Sequence, residues 1–424
     1  MLTRPCNLTP QPVTFCAKNA QKAQFATQLI AALEISAEVV PFDRDVKESK
    51  KSMKIGRNTR CWCNSGKKFK HCHYGRENEK RISKGEAIGQ SKKIGARKCC
   101  YVPKELQHEC DSKIVNAHTV SKSGSLIEIA DSTNHVLGLK IDLANIFKNN
   151  GKLTPERIGV NQASTFKGFC SKHDKQLFSC IEDHPFIATE EQCLALMYRS
   201  VAKEIYAKEG SLLSSEIIKG GDKGRKLIDQ MSIQKFSVGN QLGIKAALRE
   251  LSDFKAQLDG QLLGKLTNNL SHLIFESSTS MPVAVSSIVS PISDFKGNII
   301  QDLGDLNVVA ENIVFNSFSS DGKGYVVFSW LKESSVILDF VNTLIAVDKS
   351  GVFSALIRFF FGLAENNFIS PEWWNGLLDA QKEKITFLIM SGVNPFEFEP
   401  RNLLVDDGIN FSGWNIDNVR KINF

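Results

Sequence analysis

The sequence predicts an α+β fold, and three features of its texture lead to it. Apolar residues recur at helical spacing in the middle of the chain, at Leu194, Met197, Val201 and Ile205 and again at Leu248, Leu251, Leu258 and Leu262. After Ser280 the pattern changes to short runs rich in β-branched and aromatic residues, punctuated by Gly297, Gly304, Gly322 and Gly324. Cysteines bunch between positions 61 and 110, in front of both regions. These shifts divide the chain into an N-terminal helical extension (1–45), a basic Cys-rich module (46–98), a Cys/His domain (99–185), a helical region (186–276) and a β-rich α+β domain (277–424). With 424 residues, 42% of them hydrophobic, the chain is long enough to bury a sizeable core.

Taken in order, Asn19 to Val39 reads as a helix, because Phe25, Leu29, Ala32 and Leu33 share a face and Pro41 stops it. Thr189 is a good N-cap followed by Glu190 and Glu191, where the helix dipole favours acids. That helix is expected to reach Lys208 and to end at Gly210. A second helical pattern runs from Val238 to Glu276 and carries on through Leu266, Leu270 and Leu273, with Gly260 and Gly264 as places for a break. Its spacing fits a helical hairpin or core helix better than a coiled coil. Val283–Val289, Leu306–Phe315, Lys323–Trp330 and Ser335–Leu344 read as strands of a mainly antiparallel sheet. Pro371 to Met390 reads as a helix with Ser370 as N-cap and Pro371 in its first turn. Trp373, Trp374, Leu377, Leu378, Ile385 and Leu388 are read as its packing residues.

Composition excludes several function classes. The most apolar run, Val352 to Ala364, is interrupted by Arg358 and falls short of the ~20 residues a membrane helix needs. Met1 to Phe15 lacks a basic start followed by an apolar stretch, so no signal peptide is predicted and the expected location is cytoplasmic. Eleven cysteines in such a chain read as thiols and metal ligands, not disulfides. No P-loop, nucleophile elbow, kinase signature or dinucleotide fingerprint is present. Charge is uneven: Lys47 to Lys98 holds 17 Lys and Arg against 4 Asp and Glu, while the remainder has 36 against 42. A block of this kind favours an anionic partner: nucleic acid, ribosome or acidic protein.

The chemistry concentrates in two Cys/His groups. In the first, Cys61-x-Cys63 is followed, after eight residues, by Cys72-His73. Three thiolates and an imidazole are a closed tetrahedral donor set for zinc, a structural site with no open position for catalysis. Asn64-Ser65-Gly66 supplies the tight turn between the halves, since Gly and Asn tolerate positive φ. His71 competes with His73 on spacing alone. A stretch this short cannot bury a core, so metal must supply its folding energy. The stretch resembles the SEC-C motif, the zinc-binding tail of the bacterial preprotein translocase motor SecA. Arg57-Asn58, Ser65-Gly66-Lys67-Lys68, Phe69 and Lys70 fit the pattern along with the ligands. Arg60 and Trp62 stand where proline is usual, and Asn64 where glycine is usual. The resemblance covers about twenty residues, favours His73 as the fourth ligand, and implies docking to a partner.

The second group is Cys100 and Cys110, with nine residues between them, and Cys170-x2-His173. Cys99 competes with Cys100. A second zinc is expected here, which makes the body a zinc-stapled α/β core. Between the halves lies Lys113–Thr119, a short strand carrying His118. The arrangement loosely resembles zinc-stapled HNH-type nucleases, which implies His118 as general base and a separate Mg²⁺ or Mn²⁺. Asp174, His135 or Asn134 would help hold that metal. The Asp-His or His-His pair usual in such nucleases is absent, because Ala117 precedes His118.

Overall fold

The computed structural model describes residues 55–139, 148, 153–266, 268–391 and 400–424. The helix expected at Asn19–Val39 lies outside these residues. The fold is α+β and is organised around one sheet of eight strands among the described residues, antiparallel at every pairing. Its strands are β2 (His135–Gly138), β3 (Glu156–Gly159), β5 (Leu270–Ser277), β6 (Val283–Val289), β7 (Ile313–Ser320), β8 (Lys323–Leu331), β9 (Asn367–Ile369) and β10 (Asn418–Ile422). The spatial order is β10-β5-β8-β7-β6-β9-β2-β3. The short β9 joins β6 to the β2–β3 pair, so residues from the Cys/His segment extend the sheet of the C-terminal region. A separate ribbon pairs β1 (Ala117–His118) with β4 (Thr165–Phe166).

Side chains alternate across a strand, and β8 shows where they go. Val326, Phe328 and Trp330 enter the largest core, with Phe340, Phe359, Phe360 and Leu388. Tyr325 and Val327 face the other way, onto Phe186 and Leu196. Both faces are covered, which is why β6 is buried along its whole length instead of alternating with water. At the β7–β8 hairpin, Asp321 and Gly322 have φ of 51° and 73°, the two positive values a tight two-residue turn demands.

One face carries α5 (Ser335–Ile345), α6 (Val352–Leu363), α7 (Pro371–Gly376) and α8 (Asp379–Met390). The helix α5 corrects an expected strand. Ser334 caps it by accepting from Ile337 N, and Ile337, Phe340, Val341 and Leu344 form a buried stripe at helical spacing that overrides β-branched propensity. The expected strand at Leu306–Phe315 begins only at Ile313; Asp305 turns the chain before it, accepting from Asn307 N at 2.9 Å. The expected helix at Pro371–Met390 is two helices. Ser370 caps α7 as anticipated, but the chain breaks after Gly376, leaving Leu378 70% exposed while its N–H donates to the Gln381 side chain. The apolar run at Val352–Leu363 is a fully buried helix in which Arg358 reaches Asp406 at 3.2 Å. No helix among the described residues is long and apolar enough to cross a membrane.

The other face carries a hairpin of two long helices, α3 (Glu190–Gly220) and α4 (Leu227–Leu262). Met197, Val201 and Ile205 of α3 pack with Leu251, Phe254 and Leu258 of α4 against Leu270, Ile288 and Val314 of the sheet. Thr189 caps α3, with Gln192 answering in a reciprocal capping box. Gly210 does not end it. A Cβ there would sit 2.9 Å from Arg97 Nη1, and Arg97 crosses that spot to donate to Tyr206 O. The helical pattern expected to reach Glu276 stops at Leu262, where Gly264 takes φ of 67°, and Leu270 and Leu273 belong to β5. The remaining helices, α1 (Lys84–Gly95) and α2 (Ser171–Glu182), follow the first Cys/His group and contain the end of the second.

Candidate metal centres

The first group is built by a small hairpin. Cys61 N donates to Lys67 O at 2.8 Å and Phe69 N to Thr59 O at 2.9 Å. Asn64 and Gly66 adopt φ of 58° and 74° at the turn between them. Phe69 is buried, and a short 3₁₀ turn at Phe69–His71 brings Cys72 and His73 back under the first pair. The Sγ and Nδ1 atoms of Cys61, Cys63, Cys72 and His73 all lie within 4.8 Å of one another. His73 Nδ1 is 3.3 Å from Cys61 Sγ and 3.2 Å from Cys72 Sγ, and Cys63 and Cys72 are 3.5 Å apart. Tetrahedral zinc with bonds of about 2.3 Å to sulfur and about 2.0 Å to nitrogen implies edges of roughly 3.5–3.8 Å, so the donor set fits with little adjustment. His71 is exposed, and His73 is the histidine that faces the thiols.

Residues 57–75 match the SEC-C motif. A 74-residue stretch, 17% of this chain, is 36% identical to the protein translocase subunit SecA of Chloroflexus aggregans and covers 8% of that protein. No solved structure matches the chain. The SEC-C motif is a zinc-binding module, and here its ligand positions converge on one point.

The SEC-C module is fastened to the body by a residue the sequence did not flag. Asp222, fully buried in the turn between α3 and α4, accepts from His73 Nε2 at 2.9 Å, Arg76 Nε at 2.7 Å and Gln234 Nε2 at 2.7 Å. Burial would raise its pKa, but the bonds from His73, Arg76 and Gln234 hold it below the ordinary carboxylate value. A carboxylate accepting from Nε2 fixes the tautomer that leaves Nδ1 free to ligate. Trp62 packs on the same imidazole, with ring centroids 4.5 Å apart.

The second group assembles around the start of α2. Cys170 precedes the helix and His173 lies in its first turn. Tyr101 N donates to Gly168 O, Val115 N to Phe169 O and Ser171 N to Lys113 O, which gathers the three segments. Cys100, Cys110, Cys170 and His173 present their donor atoms within 4.8 Å of one another. His173 Nδ1 is 3.6, 3.4 and 3.1 Å from the three sulfurs in that order. Cys100, not Cys99, brings its sulfur into the group. Burial pushes the Cys61 and Cys110 thiols up to about 12. Burial also raises Cys63, but hydrogen bonds from Ser65 and Cys72 bring it down to about 7. With three thiols and one imidazole converging within 4.8 Å in each, both groups fit zinc as closed structural sites.

The structure does not draw the remaining candidates into a centre. His118 Nε2 donates to Val160 O at 3.2 Å, and burial lowers its pKa. Asp174 lies in the first turn of α2, its Oδ1 buried without a hydrogen-bond partner and its pKa raised by burial. His135 Nδ1 donates to Thr133 O, and Asn134 occupies a turn with φ of 57°. Among the described residues no third metal-binding cluster forms around them.

Proposed function

We propose that this is a docking protein whose two zinc centres hold it together and whose SEC-C module presents a basic face to an anionic partner: nucleic acid, ribosome or acidic protein. The observation that supports this is the polarity of the docked module. Its inner side is taken up by Asp222, while Arg57, Arg60, Lys67, Lys68, Lys70 and Tyr74 stay exposed on the outside. Arg60, Lys67, Lys68 and Lys70 make no ion pair among the described residues, so their charge is available. Arg57 stacks over Tyr74 at 4.6 Å, leaving an aromatic edge among the cations. A triple substitution, Lys67→Ala with Lys68→Ala and Lys70→Ala, is expected to weaken binding to single-stranded RNA. It should flatten the dependence of log K on log salt by about 2, at roughly 0.7 per lost phosphate contact. Unchanged affinity and slope would dismiss this face as the docking site.

A second reading is a nuclease with His118 as general base, Asp174 toward a Mg²⁺ or Mn²⁺ ion, and phosphates gripped by the basic segment. One observation favours it: Asp174 Oδ1 is buried with no hydrogen-bond partner, a carboxylate oxygen open to a cation. Metal-dependent cleavage of DNA or RNA, abolished by His118→Ala, is the expected behaviour. A wild-type chain that cuts neither with either metal dismisses the reading.

A further inference from the structure

The apolar stripe of α4 outruns the partners that the described residues give it. Ile233, Phe236, Ile244 and Ala247 are all buried. They recur at helical spacing and so share one side of the helix. That side is turned about a quarter of the way round from the one facing α3. Gln234 Nε2 marks the α3 side by donating to Lys219 O at 3.0 Å, as do Ser237 Oγ to Ser215 O at 3.3 Å and Gln241 Nε2 to Ser215 Oγ at 2.7 Å. The stripe runs on into Leu251, Phe254 and Leu258, whose partners include Leu270, Ile288 and Val314 of the sheet. Upstream of Leu248 the sheet supplies none. The four residues, and buried Ile218 of α3, join none of the apolar clusters formed by the described residues. Beyond α3, no described helix or strand packs extensively on α4.

An apolar face buried without a described partner needs a cover from the rest of the chain. Place and pattern both point to the N-terminal segment. The described chain begins at Ile55, in the SEC-C module, which is fastened to the α3–α4 turn by Asp222 and by Gly224 N donating to Arg76 O at 3.0 Å. Leu227 opens α4 just after that turn, so residues 1–54 lead up to the near end of the stripe. Within them, Phe25, Leu29, Ala32 and Leu33 put an apolar face on the helix expected at Asn19–Val39. At 1.5 Å per residue that helix is about 30 Å long, against about 21 Å for the stripe from Ile233 to Ala247. Residues 40–54 reach up to about 50 Å when extended, enough to join helix and module. The other stretches start elsewhere. Leu139 and Leu153, which bracket residues 140–152, and Met390, just before 392–399, all pack with the core under α5 to α8.

We propose that residues 19–39 are a helical strap that seats Phe25, Leu29 and Leu33 on the stripe of Ile233, Phe236 and Ile244. An amphipathic helix laid in an apolar groove is the arrangement such spacing suits. The strap completes the core of the helical hairpin where the sheet no longer reaches it. It also ties the SEC-C module to that hairpin by a second route, independent of Asp222 and of the basic docking face.

The test uses the full chain in two ways. In the first, p-benzoylphenylalanine replaces Phe25 and is irradiated, and the adducts are mapped by mass spectrometry. Adducts within one chain to peptides of residues 212–220 or 227–249 are expected. Adducts that join two chains would assign the stripe to a second copy, and adducts elsewhere would place the segment off the hairpin; either overturns the proposal. In the second, Phe25→Asp is combined with Leu29→Asp, and amide hydrogen exchange is followed. Exchange across residues 233–247 should quicken by about tenfold or more as the stripe loses its cover, while β6 and β8 keep their rates. Unaltered exchange at 233–247 overturns the proposal, and this result decides if the cross-linker gives no adduct.

Discussion

Asp222→Ala is expected to weaken zinc binding at the SEC-C module by about 10- to 100-fold, the usual effect of losing a carboxylate that orients a ligating histidine. It also removes the acceptor for Arg76 and Gln234 at a fully buried position. Breaking one side of a buried ion pair costs about 3–5 kcal/mol, because the other charge is left without compensation. Asp222→Asn should fall between wild type and alanine: it keeps an acceptor for His73 but cannot balance Arg76. Competition with a chromophoric chelator reads the affinity, and a denaturant melt reads the stability. If both are unchanged in the alanine variant, the module is not coupled to the helical hairpin.

The second large effect belongs to Cys170→Ser. Cys170 is fully buried and bridges to Ile114 just before α2, so its thiol stands where three segments meet. Removing it should abolish zinc binding at the second group and destabilise the body by several kcal/mol. The upper limit is the binding energy of a structural zinc, about 10–16 kcal/mol in peptides that fold only with metal. Cys99→Ser is the matched control, expected to leave metal content unchanged because the Cys99 sulfur is not among the converging donor atoms. Denaturant midpoints and metal content together check the pair. Equal midpoints for the two variants would reduce Cys170 to an ordinary buried thiol.

How much of this the sequence disclosed depends on the range of each interaction. The SEC-C motif was legible because Cys61, Cys63, Cys72 and His73 lie within thirteen residues and the turn at Asn64–Gly66 carries its own signal. The existence of the long helices, and strands β6 and β8 with part of β7, were legible from periodicity and β-branched content, while β5, β9 and β10 were not. Residues 335–344 misled because Val336, Ile337 and Val341 favour strands by type while their spacing is helical, and spacing decided. The leucines at 262, 266, 270 and 273 keep a regular interval across a real boundary, so only the positive φ at Gly264 reveals the end of α4. Asp222 and Arg199 were not legible. Asp222 meets His73 across 149 residues, and Arg199 finds its carboxylate partner, Glu182, on a different helix.

The central claim is that two separate metal centres staple this chain. Zinc content of the purified full-length protein, measured by elemental analysis, tests it most directly. Two zinc ions per chain are predicted, falling to one in Cys170→Ser while the SEC-C ion remains. One ion in the wild type that survives Cys170→Ser, or none at all, would contradict it.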